Sequence, residues 1–148
     1  MSKSGKLPLT VAHEVRDSCM CLHTQRAARA LARRFDEAFA PLNLTHGQYS
    51  LLMFLSGPVP PGMAALAKAL AMDRTTLTAN LKPLERRRLV KIAVDRDDKR
   101  SRRLLLTCAG KRLLMKAVPI WRRSHAELDR RFSRERLAAM RSGLMELL

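Results

Sequence analysis

The chain has 148 residues, 47% hydrophobic and only 4% aromatic, with 29 basic against 13 acidic side chains and a formal charge of +16. That length holds one compact domain, or a small lobe fused to a further set of helices. Scarce aromatics weigh against carbohydrate binding or base stacking. The lack of a Gly-rich phosphate loop, an HExxH or a nucleophile motif weighs against an enzyme, while the charge points to a polyanionic partner.

Leu, Ala, Arg and Lys dominate and β-branched residues are few, so the chain is predicted to be mostly helix. Residues 1–10 read as a flexible arm. Apolar positions at Val15, Cys19, Leu22, Ala27, Leu31, Phe35 and Phe39 predict one long helix from Val11 to about Ala40, stopped by Pro41. Thr45 is a natural N-cap for a second helix, Gly47 to Leu55, apolar on most sides and therefore expected to be buried. A Pro/Gly connection spans Gly57 to Gly62.

A short Ala/Leu helix follows from Met63 to Leu70, with Ala71-Met72 as a turn. Asp73 then caps a helix from Arg74 to Arg88, in which Pro83 forfeits the bond to the Ala79 carbonyl and predicts a bend. Leu89–Ile92 and Arg102–Leu106 are strand candidates joined by the charged hairpin Asp95 to Ser101. Thr107 opens a long helix to about Arg131, bent at Pro119, and Ser133 caps a last helix to Leu147.

Charge is uneven along this order. Residues 63–112 carry 14 basic and 5 acidic side chains, against 7 and 4 in residues 1–40, none in 41–62, and 8 and 4 in 113–148. A localised basic face suggests a double-stranded DNA footprint with salt-dependent affinity. The uncharged run from Ala38 to Ala67 is broken by Gly57, Pro58, Pro60, Pro61 and Gly62, so neither half reaches the ~20 apolar residues of a membrane span. With no apolar export signal and three cysteines, the chain is expected in a reducing cytoplasm.

On a helical wheel Leu81, Leu84 and Arg88 fall within about 40° of Leu77, and the three leucines make a core stripe. Thr75, Ala79, Lys82 and Arg86 stand opposite, with Thr78 beside them and Arg74 and Thr76 in the first turn. Hydroxyls can bond base edges or phosphates, an alanine meets a thymine methyl, and Lys or Arg favours guanine or phosphate. Early positions of a recognition helix point at bases, so Thr75, Thr78 and Ala79 are the specificity candidates, and Lys82 and Arg86 the backbone contacts. The arginine-rich hairpin, including Arg100 and Arg102, can lay one guanidinium into a narrow minor groove. Asp97 or Asp98 is expected to clamp a neighbouring arginine there. Short helix, turn, exposed Thr/Lys/Arg helix and charged hairpin together are the order of a winged helix-turn-helix.

In these residues the chain resembles the MarR family of bacterial transcriptional regulators. The resemblance covers roughly residues 11–148 and rests on Leu66-Ala67, Leu70, Leu84-Glu85-Arg86, Leu89-Val90, Asp98-Lys99-Arg100-Ser101, Leu106-Thr107 and Gly110, together with Pro119-Ile120-Trp121. It implies a homodimer whose N- and C-terminal helices interlock, with two winged helices facing one duplex. It also implies that Asp98 and Arg100 form the wing-tip pair. The domain plan is then an arm (1–10), an N-terminal dimerisation helix (11–44), a winged helix-turn-helix (45–106) and C-terminal dimerisation helices (107–148). Apolar residues Leu104, Leu113, Leu114, Val118, Leu128, Leu137, Met140, Leu144 and Leu147 exceed what one thin lobe buries. Ala71 and Arg88 stand where relatives commonly have Gly, and each costs about 1 kcal/mol if its φ is positive.

The resemblance further implies a repressor released from a pseudo-palindromic operator by a small aromatic ligand. His23, Arg26, His46, Tyr49, Met53 and Trp121 are the candidate lining residues. Cys19, Cys21 and Cys108 are redox candidates. On one helix Cys19 and Cys21 point about 200° apart and cannot readily pair within a chain. Cys108, at a helix start, is placed for a lowered thiol pKa. No cofactor or metal is expected. A redox-responsive regulator and a nonspecific nucleoid DNA-packing protein are the alternatives.

Overall fold

The computed structural model describes residues 5–148, so the first four residues of the expected arm lie outside the described residues. In chain order the elements are α1 (Leu9–Ser18), α2 (Met20–Phe39), α3 (His46–Leu55), α4 (Met63–Ala69), α5 (Arg74–Arg86), β1 (Val90–Val94), β2 (Arg102–Leu106), α6 (Cys108–Asp129) and α7 (Arg134–Met145). The fold is mostly helical with a small antiparallel β-wing, as the sequence predicts. The chain divides into two compact units, Met1–Arg34 and Phe35–Leu148.

In the first unit the expected single helix is two. Cys19 takes an extended conformation (ψ 106°) and separates α1 from α2. Local side chains compete with the helix ladder here. Ser18 Oγ donates back to the Glu14 carbonyl at 2.6 Å, and Cys19 Sγ accepts the Leu22 N–H at 3.5 Å in the manner of an N-cap. Cys19 and Cys21 therefore do not share one helix, and the expected separation of about 200° between them does not hold. Cys21 is exposed and Cys19 half-buried.

The second unit holds the core. Phe39, Leu51, Leu52, Leu66, Leu77, Leu84 and Leu104 are all at or below 1% exposure, and each such side chain contributes roughly 1.5–3 kcal/mol through burial. Within α3 the expected burial holds for Tyr49, Leu51, Leu52 and Leu55, but Met53 and Phe54 are exposed. Leu104 and Leu114 are buried within one chain, so they are not part of the surplus that needs a partner.

Each predicted cap is present. Thr45 accepts the Gln48 N–H and Gln48 returns to the Thr45 N–H, a reciprocal capping box. Asp73, Thr107 and Ser133 cap α5, α6 and α7 through the N–H groups of Thr76, Gly110 and Arg136. Pro83 and Pro119 lie inside α5 and α6, which continue past them.

Helices α4 and α5 end alike. Met72 N–H reaches the Ala67 carbonyl and Ala71 N–H the Lys68 carbonyl; Leu89 and Arg88 repeat this on Leu84 and Glu85. These are Schellman motifs, which require a left-handed residue next to the cap. Ala71 (φ 49°) and Arg88 (φ 55°) supply it without being glycine. The left-handed turn also ends α5 two residues before the predicted limit, and Arg88 is exposed.

The first strand is Val90–Val94 rather than Leu89–Ile92, because Leu89 is spent closing the α5 motif. It pairs β2 in the register Val90↔Leu106, Ile92↔Leu104, Val94↔Arg102. A bridge between Gly62 and Arg103, with Leu104 N–H donating to the Pro61 carbonyl at 3.0 Å, attaches the Pro/Gly connection to the outer side of β2.

Candidate nucleic-acid interface

Burial of Leu77, Leu81 and Leu84 fixes the rotation of α5, and the opposite face is thereby open. Arg74, Thr75, Thr78, Ala79 and Lys82 line one shallow concavity of about 390 Å3 on that face. The five are brought together as expected. Thr78 Oγ1 donates to the Arg74 carbonyl at 2.8 Å, which commits its proton and leaves the oxygen as an acceptor. Thr76 is used locally: its N–H and hydroxyl both donate to the Asp73 carboxylate at 2.7 Å. Those bonds, the backbone one first, hold the Asp73 carboxyl below the usual carboxylate range. Arg86 is exposed at the last position of α5, beyond the concavity.

Beside this face the wing is assembled around Asp95, a buried carboxylate at 6% exposure. Oδ1 of Asp95 accepts the backbone N–H of Asp97 at 2.8 Å and of Asp98 at 3.4 Å, and Oδ2 pairs with Nε of Arg103. The Asp97 N–H, then the Arg103 guanidinium, hold this carboxyl below its ordinary range. Arg103 also donates from Nη1 to the Pro60 carbonyl at 3.0 Å. The arginine clamp is thus Asp95 rather than Asp97 or Asp98. The reason is position: Asp95 directly follows β1, its N–H bonded to the Ser101 carbonyl, where its carboxylate reaches the Arg103 side chain, whereas Asp97 and Asp98 are at the solvated tip.

Asp98 instead accepts the Arg100 backbone N–H on Oδ1 at 2.9 Å, and its carbonyl accepts the Ser101 N–H. Among the described residues the Arg100 guanidinium has no acceptor. Arg102 folds back, donating from Nη1 to the Lys99 and Ser101 carbonyls at 3.2 and 3.3 Å. Arg74, Arg100 and Arg102 line a concavity of about 370 Å3 with Met63–Ala65, which joins the wing base to the starts of α4 and α5.

The candidate effector residues are distributed. Tyr49, Met53 and Trp121 line a concavity of about 370 Å3 with Phe54, Val118 and Arg122. Burial raises the Tyr49 hydroxyl above its usual range, and Arg122 opposes this. His46 lies outside that concavity, its ring 5.3 Å from Phe35, which is also 5.3 Å from His125. Burial pushes the His46 imidazole down, and the charge of Asp36 partly restores it. His23 and Arg26 line a shallow concavity of α2 with Arg29 and Arg33. Cys108 is the exposed first residue of α6.

No protein-family model matches the chain. Structural similarity is extensive. The transcriptional regulator MosR of M. tuberculosis, solved in complex with DNA, is 36% identical; the alignment covers 88% of this chain and 96% of MosR with a TM-score of 0.78. The chain belongs to the MarR family. This MarR-family chain is also similar to the transcriptional repressor CouR bound to a 23-mer DNA duplex, at 26% identity, 97% and 99% coverage and a TM-score of 0.80. Among curated proteins it is 34% identical over 97 residues to the HTH-type transcriptional regulator TtmR of Methylorubrum extorquens, covering 66% of this chain. The match spans half the length of that relative. The family's members are transcriptional regulators, not enzymes.

Sequence reasoning missed the parts that hold the MarR-type wing in place: Asp95, Arg103 and the Pro60 carbonyl. A signal was available, since an aspartate followed by two free N–H groups at a strand end is the pattern of an Asx turn. Arg87 was also missed. Its guanidinium donates to the carbonyls of Asn43 and Leu42, tying the end of α5 to the turn before α3.

Proposed function

We propose that this chain is a dimeric, sequence-specific DNA-binding regulator that represses from a pseudo-palindromic operator and is released by a small aromatic ligand. The observation that carries the reading is the exposed face of Arg74, Thr75, Thr78, Ala79 and Lys82 on a helix whose other face is core, flanked by the Arg100 guanidinium, which has no acceptor among the described residues. In this reading Thr75, Thr78 and Ala79 read base edges, Arg74, Lys82, Arg86 and Arg102 hold phosphates, and Arg100, aligned by Asp98, enters the minor groove. Thr76 acts through the α5 cap.

Dimerisation is supported by apolar side chains that one chain leaves in solvent: Val15 and Leu31 in the first unit, Met140, Leu144 and Leu147 in the second. A phenolate or aromatic carboxylate suits the concavity of Tyr49, Met53 and Trp121, with Arg122 as counter-ion. His23, Arg26 and His46 are the less favoured candidates, and an unchanged inducer response in Arg26→Ala removes Arg26. A redox-responsive variant rests on the exposed thiols of Cys21 and Cys108. The protein is proposed to work in the cytoplasm.

The test is selection of bound duplexes from a random pool at about 150 mM salt, which suppresses nonspecific contacts. The reading requires a recovered pseudo-palindrome with half-sites about one helical turn apart. Bound duplexes without a consensus would replace it with nonspecific DNA packing.

A further inference from the structure

An arginine that reads a groove must be presented at a fixed height and angle, yet Arg100 is at the tip of a two-stranded hairpin, an element of little rigidity by itself. The structure contains a continuous polar chain that supplies the missing rigidity. It begins at the Pro60 carbonyl, which accepts Nη1 of Arg103 at 3.0 Å. Nε of the same guanidinium pairs with Oδ2 of Asp95. The other oxygen of Asp95 gathers the N–H groups of Asp97 and Asp98, and Oδ1 of Asp98 takes the N–H of Arg100. Four bonded steps therefore connect the Pro/Gly connection, itself bridged to β2 at Gly62↔Arg103, with the backbone of Arg100.

We propose that Asp95 and Arg103 are positioning residues for Arg100: the buried carboxylate and the two-armed guanidinium lock the wing tip to the Pro60 carbonyl and so set where the free Arg100 guanidinium meets a duplex. The proposal rests on the DNA-reading role given above. Three features favour it over a plain structural ion pair. Asp95 is 6% exposed in a hairpin whose other acids, Asp97 and Asp98, are solvated. Both of its oxygens are used, one on the tip and one on the anchor. Arg103 divides its donors between the wing and a segment 43 residues away, a geometry that a lysine, with one point charge, does not reproduce. Of the four arginines between positions 96 and 103, Arg102 and Arg103 are held, while the guanidinium groups of Arg96 and Arg100 have no acceptor among the described residues; of these two, only Arg100 is joined to the chain of bonds through its backbone N–H.

The experiment measures binding of the full chain to its selected duplex by fluorescence anisotropy, for the wild type, Arg100→Ala, Asp95→Asn, Asp95→Ala, Arg103→Met, Arg103→Lys and the double variant Arg100→Ala/Asp95→Ala. Circular dichroism at the assay temperature checks that each is folded. Asp95→Asn keeps an acceptor for the tip N–H groups, and Arg103→Met keeps the aliphatic stem, so the two probe the lock without removing the wing. The expected result is a loss of roughly tenfold or more for Arg100→Ala, a comparable loss for Asp95→Ala and Arg103→Met, and incomplete recovery with Arg103→Lys. In the double variant Asp95→Ala should cost almost nothing further, because its effect acts through Arg100. A general loss of wing order would also cost the Arg102 contact and leave a further loss in the double variant. If Arg100→Ala weakens binding but Asp95→Ala does not, or if the two effects multiply independently, the positioning role is wrong and the DNA reading stands. If Arg100→Ala itself changes nothing, both fall.

Discussion

Gly110 and Leu89 meet so closely that a Cβ built on Gly110 would lie 2.4 Å from the Leu89 carbonyl oxygen and 2.6 Å from Cδ1 of Leu106. The same carbonyl accepts the Thr107 N–H at 3.1 Å and the Thr107 hydroxyl at 3.0 Å. The first turn of α6 is thus seated on the junction between α5 and β1. This gives the Leu106-Thr107…Gly110 motif a physical meaning: Thr107 caps and anchors, and Gly110 permits the approach.

Gly110→Ala should destabilise the protein by about 1–3 kcal/mol, the usual cost of overpacking. Leu106 can rotate away, but the Leu89 oxygen belongs to a backbone already held by Thr107. Urea unfolding at fixed protein concentration measures it, and a gain in stability, as helix propensity alone predicts, would refute the close-approach account. Thr107→Ala should cost about 1 kcal/mol through the lost cap.

Ala71→Gly and Arg88→Gly should each raise stability, by about 0.5–1 kcal/mol, since left-handed backbone at φ 49° and 55° strains any residue with a Cβ. Glycine also loosens the unfolded chain, which limits the gain. Unfolding midpoints of the two variants and their combination test this. The sites end different helices, so the gains should add.

The His46 imidazole titrates below its ordinary value of 6.5 because burial disfavours the charged form, with Asp36 opposing and His125 assisting that shift. The unfolded chain therefore takes up a proton before the folded one. The resulting stability is fully present above the unfolded value, declines as pH falls below it, and is lost once pH passes through the depressed folded value. Stability measured from pH 8 to 5 should fall for the wild type and fall less for His46→Gln. Equal slopes would show that His46 is not the group responsible.

Thr75→Val and Lys82→Ala should separate two kinds of contact. Both residues line the same face of α5. A base-reading Thr75 predicts an altered consensus in duplex selection, with a cost of about 1–3 kcal/mol on the original site. A phosphate-holding Lys82 predicts uniform weakening on all duplexes and a salt dependence reduced by about one counterion. Exchange of these outcomes would reverse the two assignments.

Much of the molecule follows from interactions within a few residues. The core stripe Leu77, Leu81, Leu84 is a matter of helical period, and the caps Thr45, Asp73, Thr107 and Ser133 each serve an N–H three positions on. These are legible in the sequence because both partners stand in one short window. The exposed Thr75, Thr78, Ala79 and Lys82 face follows as the complement of that stripe.

Tertiary structure decided the rest. The sequence offers three aspartates in the hairpin, and an Asx-turn pattern at Asp95 marks a local turn without saying which of the three meets an arginine. The choice of Asp95 depends on Arg103 across the strand pair and on Pro60, 43 residues from that arginine. Likewise, nothing near Gly110 foretells a carbonyl 21 positions earlier. The split between α1 and α2 is a local matter instead, where the side chains of Ser18 and Cys19 override an unbroken apolar period. Periodicity reports which face of an element is apolar. It does not report which polar group from a distant segment will arrive there, because that is settled only when the core Leu and Phe side chains bring the segments together.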